Sequence, residues 1–68
     1  MNIGIVRFFS MNKGYGFIKP ITGGDDVLLH ISSLQEAGIL RLNDNDKLRY
    51  DLGEKNHILY ATNLSKEM

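Results

Sequence analysis

The sequence contains no cysteine, so no disulfide and no thiolate metal site can reinforce the fold. This absence gives no support to a secreted, disulfide-stapled scaffold and agrees with a reducing compartment. No apolar run approaches the roughly 20 residues that span a bilayer. The first residues also lack the basic and apolar regions of a signal peptide. We therefore expect a cytoplasmic protein that does not enter a membrane.

The sequence also offers little for catalysis. Its two histidines lie far apart in the chain, no carboxylate pair has a recognisable catalytic setting, and no ligand cluster has metal-binding spacing. Gly23 and Gly24 precede a predicted strand, whereas a phosphate-binding glycine loop leads into a helix. We expect neither an enzymatic activity nor a cofactor.

Net charge is zero, but the charges are unevenly distributed. Residues 1–24 hold three bases and no acid, whereas residues 25–68 hold five bases and eight acids. The three early bases are Arg7, Lys13 and Lys19, and four of the six aromatic residues accompany them: Phe8, Phe9, Tyr15 and Phe17. Basic and aromatic groups together are what a single-strand binding surface requires. The charge distribution alone supports a binding surface and a chance clustering of bases in a short segment equally.

The 68 residues predict one small domain over 1–68, with a thin core and marginal stability. Five segments have the composition or the alternation of strands, at 3–9, 15–19, 26–31, 47–52 and 58–64. Ser32 or Ser33 is predicted to cap a short helical turn over 34–37, which ends at Gly38. Because closure removes exposed sheet edges, five short strands in so small a chain favour a barrel. Alternation predicts core or half-buried positions at Leu48, Tyr50, Leu52, Ile58 and Tyr60.

The most informative stretch is residues 13–18, Lys-Gly-Tyr-Gly-Phe-Ile. Alternate residues share one face of a strand, so Tyr15 and Phe17 project to the same side, about 7 Å apart. That distance is close to the separation of successive bases in an extended single strand. Gly16 and Ile18 face the core instead.

The next predicted strand continues the same face. Leu28 and His30 alternate with inward-facing residues, and antiparallel pairing with the second strand places them beside Phe17 and Tyr15. Phe8 and Arg7 of the first strand are expected to complete this patch. Exposed apolar patches usually mark binding sites, so the pattern indicates a surface for bases.

Three segments resemble those of a bacterial cold-shock protein: Gly4–Ser10, Lys13–Ile18 and Asp26–Ser32. They have the order and spacing of that family, and the similarity covers essentially the whole chain. They include two ribonucleoprotein-type motifs. An RNA recognition motif domain also carries two such motifs, but in the opposite order and together with two full helices for which this chain has no room.

The resemblance implies an all-β fold, a five-stranded antiparallel OB-fold barrel with a short helical turn after the third strand. It implies binding of single-stranded RNA and DNA with low sequence specificity, the bases stacking on aromatic side chains. It also implies an RNA chaperone that regulates transcription or translation, with the cold-shock response as one setting. We expect a monomer, and a strand-swapped dimer is the alternative state.

The residues that we assign to nucleic-acid binding lie on the first three strands and the turn between the first two. They are Arg7, Phe8, Phe9, Lys13, Tyr15, Phe17, Lys19, Leu28, His30 and Ile31. The family usually has tryptophan at position 8, phenylalanine at positions 28 and 31, and often an aromatic residue at position 39. Each base–aromatic stack contributes roughly 1–3 kcal/mol, so we expect weaker binding than in a fully aromatic relative. A protein-interaction module on the same scaffold is the alternative function, because fold does not fix function.

Overall fold

The computed structural model describes residues 2–67. Within them the chain forms five strands and one helix: β1 (Asn2–Ser10), β2 (Tyr15–Pro20), β3 (Val27–His30), α1 (Ile31–Ala37), β4 (Lys47–Lys55) and β5 (Ile58–Lys66). The strands close into a barrel in the order β1-β2-β3-β5-β4. The predicted five-stranded OB-fold barrel, with a short helix after the third strand, is confirmed. No helix among residues 2–67 is long and apolar enough to cross a bilayer.

One of the five strand pairings differs from the expected antiparallel pattern. Four pairings are antiparallel, whereas β3 and β5 run parallel and meet at Leu28 and Tyr60. An odd number of strands in a closed ring cannot alternate direction throughout, so one parallel seam is unavoidable. This seam joins the outer face of β3 to that of β5.

The core lies inside the barrel and is closed at one side by α1. Its buried residues are Val6, Ile18, Val27, Leu29, Leu34, Leu48, Tyr50, Ala61 and Leu64. The predicted inward positions of Ile18 and Leu29 are confirmed, since both have no exposed surface. Burial raises the pKa of the Tyr50 phenol because the phenolate is poorly solvated there.

The predicted alternation of the last two strands is wrong at Leu52 and Ile58, which are 49% and 55% exposed. Among residues 2–67, the pairing of β4 with β1 ends at Asn2 and Tyr50, and β4 then continues to Lys55. Beyond that point the β4–β5 hairpin extends past the closed part of the barrel, so its apolar residues are not covered. β4 is correspondingly longer than the predicted strand over 47–52, and the turn to β5 is confined to residues 56–57.

The helix α1 begins earlier than the sequence predicted. Its N-cap is His30, not Ser32 or Ser33, and the His30 side chain accepts a hydrogen bond from the Ser32 backbone N–H. The Ser33 hydroxyl donates instead to the Ala61 carbonyl at 3.0 Å and so ties α1 to β5. The predicted end at Gly38 is confirmed, with the left-handed backbone that favours glycine.

β2 approaches the backbone of β1 closely at Gly16. A Cβ atom there would overlap the Phe8 carbonyl oxygen and would lie 2.7 Å from the Phe9 Cα atom. Both obstructing atoms belong to the backbone of the paired strand, which cannot move aside without breaking the pairing. Glycine at this position therefore allows the two strands to meet.

Gly16→Ala is expected to lower the free energy of unfolding by about 1–3 kcal/mol, because overpacking against a backbone is poorly relieved. Urea denaturation of the natural chain and the variant measures the difference. Gly23→Asn is the matched control, since nothing lies within 4 Å of a Cβ built at Gly23 and asparagine tolerates positive φ. Unchanged stability in Gly16→Ala would contradict the close approach.

Candidate nucleic-acid interface

A bulge at Arg7 in β1 decides where Phe8 points. Val6 pairs with Ile18 while Phe8 pairs with Phe17, so two steps along β1 match one step along β2. Val6 is buried, and a regular strand would place Phe8, two residues later, on the same inner face. The extra residue shifts the alternation. Phe8 consequently lies on the outer face and is 42% exposed.

Phe8, Tyr15 and Phe17 form one group of contacting rings on this outer face, which we call the aromatic cluster. The ring centroids lie 5.7 Å apart for Phe8 and Phe17, 6.2 Å for Tyr15 and Phe17, and 6.4 Å for Phe8 and Tyr15. The rings are tilted or edge-to-face, the arrangement that aromatic pairs prefer. Tyr15 and Phe17 are half-buried, so each ring has exposed surface that a base can contact.

β3 continues the outer face next to the aromatic cluster. Phe17 pairs with Leu28 and Tyr15 pairs with His30, in the antiparallel register that the sequence predicted. Leu28 is half-buried and His30 is exposed. The surface thus changes from aromatic on β1 and β2 to one aliphatic residue and one imidazole on β3.

Three cations border this surface. Lys19 follows Phe17 by two residues in β2 and therefore shares its face. Lys13 is exposed in the turn between β1 and β2. Arg7 is also exposed, and its Nη1 atom lies 3.3 Å from Asp26 Oδ2. An exposed ion pair of this kind is weak, so Arg7 can exchange Asp26 for a phosphate.

The 'Cold-shock' DNA-binding domain family matches this chain over residues 2–67. The chain belongs to the cold-shock domain family. It is 36% identical to the major cold shock protein of Micrococcus luteus, over 97% of this chain and 98% of that protein. It is 42% identical to a cold shock protein of Rhizobium meliloti, over 76% and 75% of the two chains. A cold shock-like protein of Rickettsia bellii is 39% identical, over 91% and 89%.

This match confirms the resemblance that the motifs indicated. The cold-shock domain family binds nucleic acid and is not enzymatic. The match includes all five strands and α1, and therefore the whole outer face described above.

Two of the residues assigned to binding lie apart from the aromatic cluster in this cold-shock domain. Phe9 pairs with Gly16 and packs against the core, so most of its ring faces inward. Ile31 is the first residue of α1 and lines a separate hollow of about 330 Å³ with Met11 and Leu34. Contact of Phe9 or Ile31 with a ligand stays a prediction.

Tyr60 is an aromatic residue of the outer face that the sequence pattern did not assign to the site. Alternation placed it in the core or half-buried, and it is indeed half-buried. Its place beside Leu28 depends on the parallel seam, which no local pattern in β5 reveals. In the structure Ala61, the next residue, is buried, so Tyr60 faces outward.

His30 has a structural role in addition to its place on the outer face. Its Nδ1 atom accepts the Ser32 N–H at 3.1 Å and lies 3.0 Å from the Ser32 hydroxyl oxygen. A neutral imidazole whose Nδ1 accepts carries its proton on Nε2, which is then a donor. The cap therefore fixes the ring beside Tyr15 and leaves one N–H for an acceptor on a ligand.

His30→Ala is expected to lower the free energy of unfolding by about 1 kcal/mol, the usual loss on removing an N-cap side chain. His30→Ser retains an oxygen that accepts the Ser32 N–H and is expected to recover most of that loss without restoring the ring. Urea denaturation distinguishes the two variants. An equal loss in both would show that the cap contributes nothing to stability.

Proposed function

We propose that this cold-shock domain binds single-stranded RNA and DNA by stacking bases on the aromatic cluster. The observation that carries the proposal is the contact of three rings on the outer face, where the bulge at Arg7 holds Phe8. A group of exposed rings is unfavourable in water unless a ligand covers it. Because every base has a π face, stacking of this kind tolerates many sequences, so we propose low sequence specificity.

The cations support the same ligand. Lys19 borders the aromatic cluster on β2, Arg7 borders it on β1, and Lys13 lies in the turn between these two strands. Phosphates of a strand that crosses the rings can pass these groups. With so few cations we expect a shallow salt dependence, with a log–log slope of about −1 to −2, because each neutralised phosphate of a single strand contributes about −0.7.

Binding of unpaired bases gives this domain a means of acting on RNA structure. A ligand that binds only the unpaired state shifts the folding equilibrium of an RNA toward that state by mass action. We propose an RNA chaperone on this basis, which regulates transcription or translation by keeping transcripts unpaired. The proposal places it in the cytoplasm as a single-domain monomer that needs no cofactor.

The affinity depends on how many bases can stack on an aromatic ring. Leu28 on the outer face is aliphatic, and so are Ile31 and Ile39 at the separate hollow beside α1, so the domain has fewer stacking positions than an aromatic residue at each would provide. Aliphatic side chains still cover the apolar face of a base but lack the π surface. We propose an affinity weaker than nanomolar for a short oligothymidine.

Phe17→Ala is expected to weaken binding of a short oligothymidine roughly 5- to 150-fold, because one base–aromatic stack is lost. Fluorescence titration at two salt concentrations should give the same salt slope as the natural chain, since no cation is removed. Ile21→Ala is the matched control, since Ile21 is exposed in the turn after β2 and is expected to leave affinity unchanged.

Two outcomes of this titration would contradict the proposal. Affinity that is indifferent to Phe17→Ala but abolished by modest salt would show that stacking is not the main interaction. No binding by the natural chain at low salt would favour a protein-interaction module on the same barrel.

Leu28→Phe is expected to tighten oligothymidine binding about 5-fold or more, because it adds a ring beside Phe17 at a position that is half-buried now. Ile21→Phe adds the same ring outside the outer face and is expected to have no effect. Titration of both variants at one salt concentration measures this. Nanomolar affinity in the natural chain, with no gain in Leu28→Phe, would show that the aliphatic residue is not limiting.

A further inference from the structure

The outer row that contains the aromatic cluster does not end at β3. Phe8 pairs with Phe17, Phe17 with Leu28, and Leu28 with Tyr60 across the parallel seam. One row of side chains therefore crosses four strands of the barrel, with a ring at each end and a single aliphatic residue between Phe17 and Tyr60.

The ring of Tyr60 lies against β4, the strand next to the end of this row. Tyr60 pairs with Gly53 of β4, and a Cβ atom built at Gly53 would lie 2.5–2.8 Å from Cζ, Cε2 and Oη of the tyrosine. The far end of the ring thus covers the glycine and lies along the sheet. Tyr60 also lines the groove next to this part of the sheet.

That groove lies between α1 and the β4–β5 hairpin and has a volume of about 540 Å³. This volume is within the range of about 300–1,000 Å³ that small-ligand sites occupy. Leu28, Tyr60 and Ile58 supply its apolar surface, and His30 lines it on the side of the aromatic cluster. A strand that lies on the aromatic cluster can therefore enter the groove over Leu28.

The two sides of the groove carry opposite charges, Lys55 on the hairpin and Glu36 on α1. Lys55 and Asn56 line it from the hairpin, while Ser32 and Glu36 line it from α1. A phosphate is attracted to Lys55 and repelled by Glu36, so a nucleic-acid backbone is expected to pass along the hairpin side. The base then lies between the backbone and α1, over the tyrosine ring.

We propose that this groove is a further nucleotide subsite of the domain, in which a base stacks on Tyr60 while its phosphate contacts Lys55. The inference rests on the proposed function, because the same single strand must occupy the aromatic cluster. The row has no aromatic ring at Leu28, and Tyr60 supplies one on the next strand.

The test is a titration with oligothymidines lengthened one nucleotide at a time, using the natural chain, Phe17→Ala and Tyr60→Leu. Phe17→Ala is expected to weaken binding at every length. Tyr60→Leu keeps an apolar cover for Gly53 and is expected to bind short oligonucleotides normally. It should lose roughly 5- to 150-fold only for those long enough to reach the groove. Tyr60→Phe keeps the ring and is expected to bind like the natural chain.

The phosphate contact has its own matched pair of variants. Lys55→Gln is expected to reduce the salt slope for long oligonucleotides by about 0.7, the contribution of one phosphate. Lys47→Gln removes the same charge from the other end of β4 and is expected to leave the slope unchanged. Photo-crosslinking of the natural chain to oligonucleotides with one 5-iodouracil should label Tyr60 from a single position of the strand.

The outcomes separate this inference from the proposed function. If Phe17→Ala binds every length like the natural chain, the proposed function fails. If Phe17→Ala weakens binding while Tyr60→Leu matches the natural chain at every length and Tyr60 is not crosslinked, the subsite alone is overturned.

Discussion

The outer face of this domain depends on how β1 pairs with β2. Gly16 lets the backbone of β2 approach the Phe8 carbonyl, and the bulge at Arg7 shifts the alternation of β1 by one residue. Without that shift Phe8 would face the core, which Val6 and Ile18 already fill. Contact between the rings of β1 and β2 therefore depends on Gly16, which has no side chain, and on the bulge at Arg7.

The same strands build the core and the binding face, and the small size of the barrel makes the two inseparable. Each outward ring is next in sequence to an inward residue, as Phe17 is to Ile18. Contacts between the rings contribute about 0.5–1.5 kcal/mol per pair beyond their burial, which partly offsets their exposure to water. The aromatic cluster is consequently arranged before any ligand arrives, and binding need not order it.

Features that depend on local alternation could be predicted from the sequence. The shared face of Tyr15 and Phe17 needs only the period of a strand, and the five strands follow from composition and turns. The bulge at Arg7 could not be predicted, because an extra residue on one strand is defined only by the register of its partner. The cap by His30 was also missed, since histidine is not among the residues that usually cap helices. The exposure of Leu52 depends on where β1 ceases to cover β4, and the place of Tyr60 depends on the seam with β3.

The aliphatic residue at position 28 has a kinetic consequence if bases stack on the aromatic cluster as proposed. Differences in affinity among related complexes lie mainly in the dissociation rate, so each missing stack shortens the lifetime of the complex. A protein that keeps RNA unpaired must release it again before the RNA can be used. An apolar row with rings at its ends and leucine between them can keep a strand aligned through backbone and apolar contact, while the bases above Leu28 exchange quickly. Weak stacking at Leu28 is therefore compatible with the proposed RNA-chaperone activity.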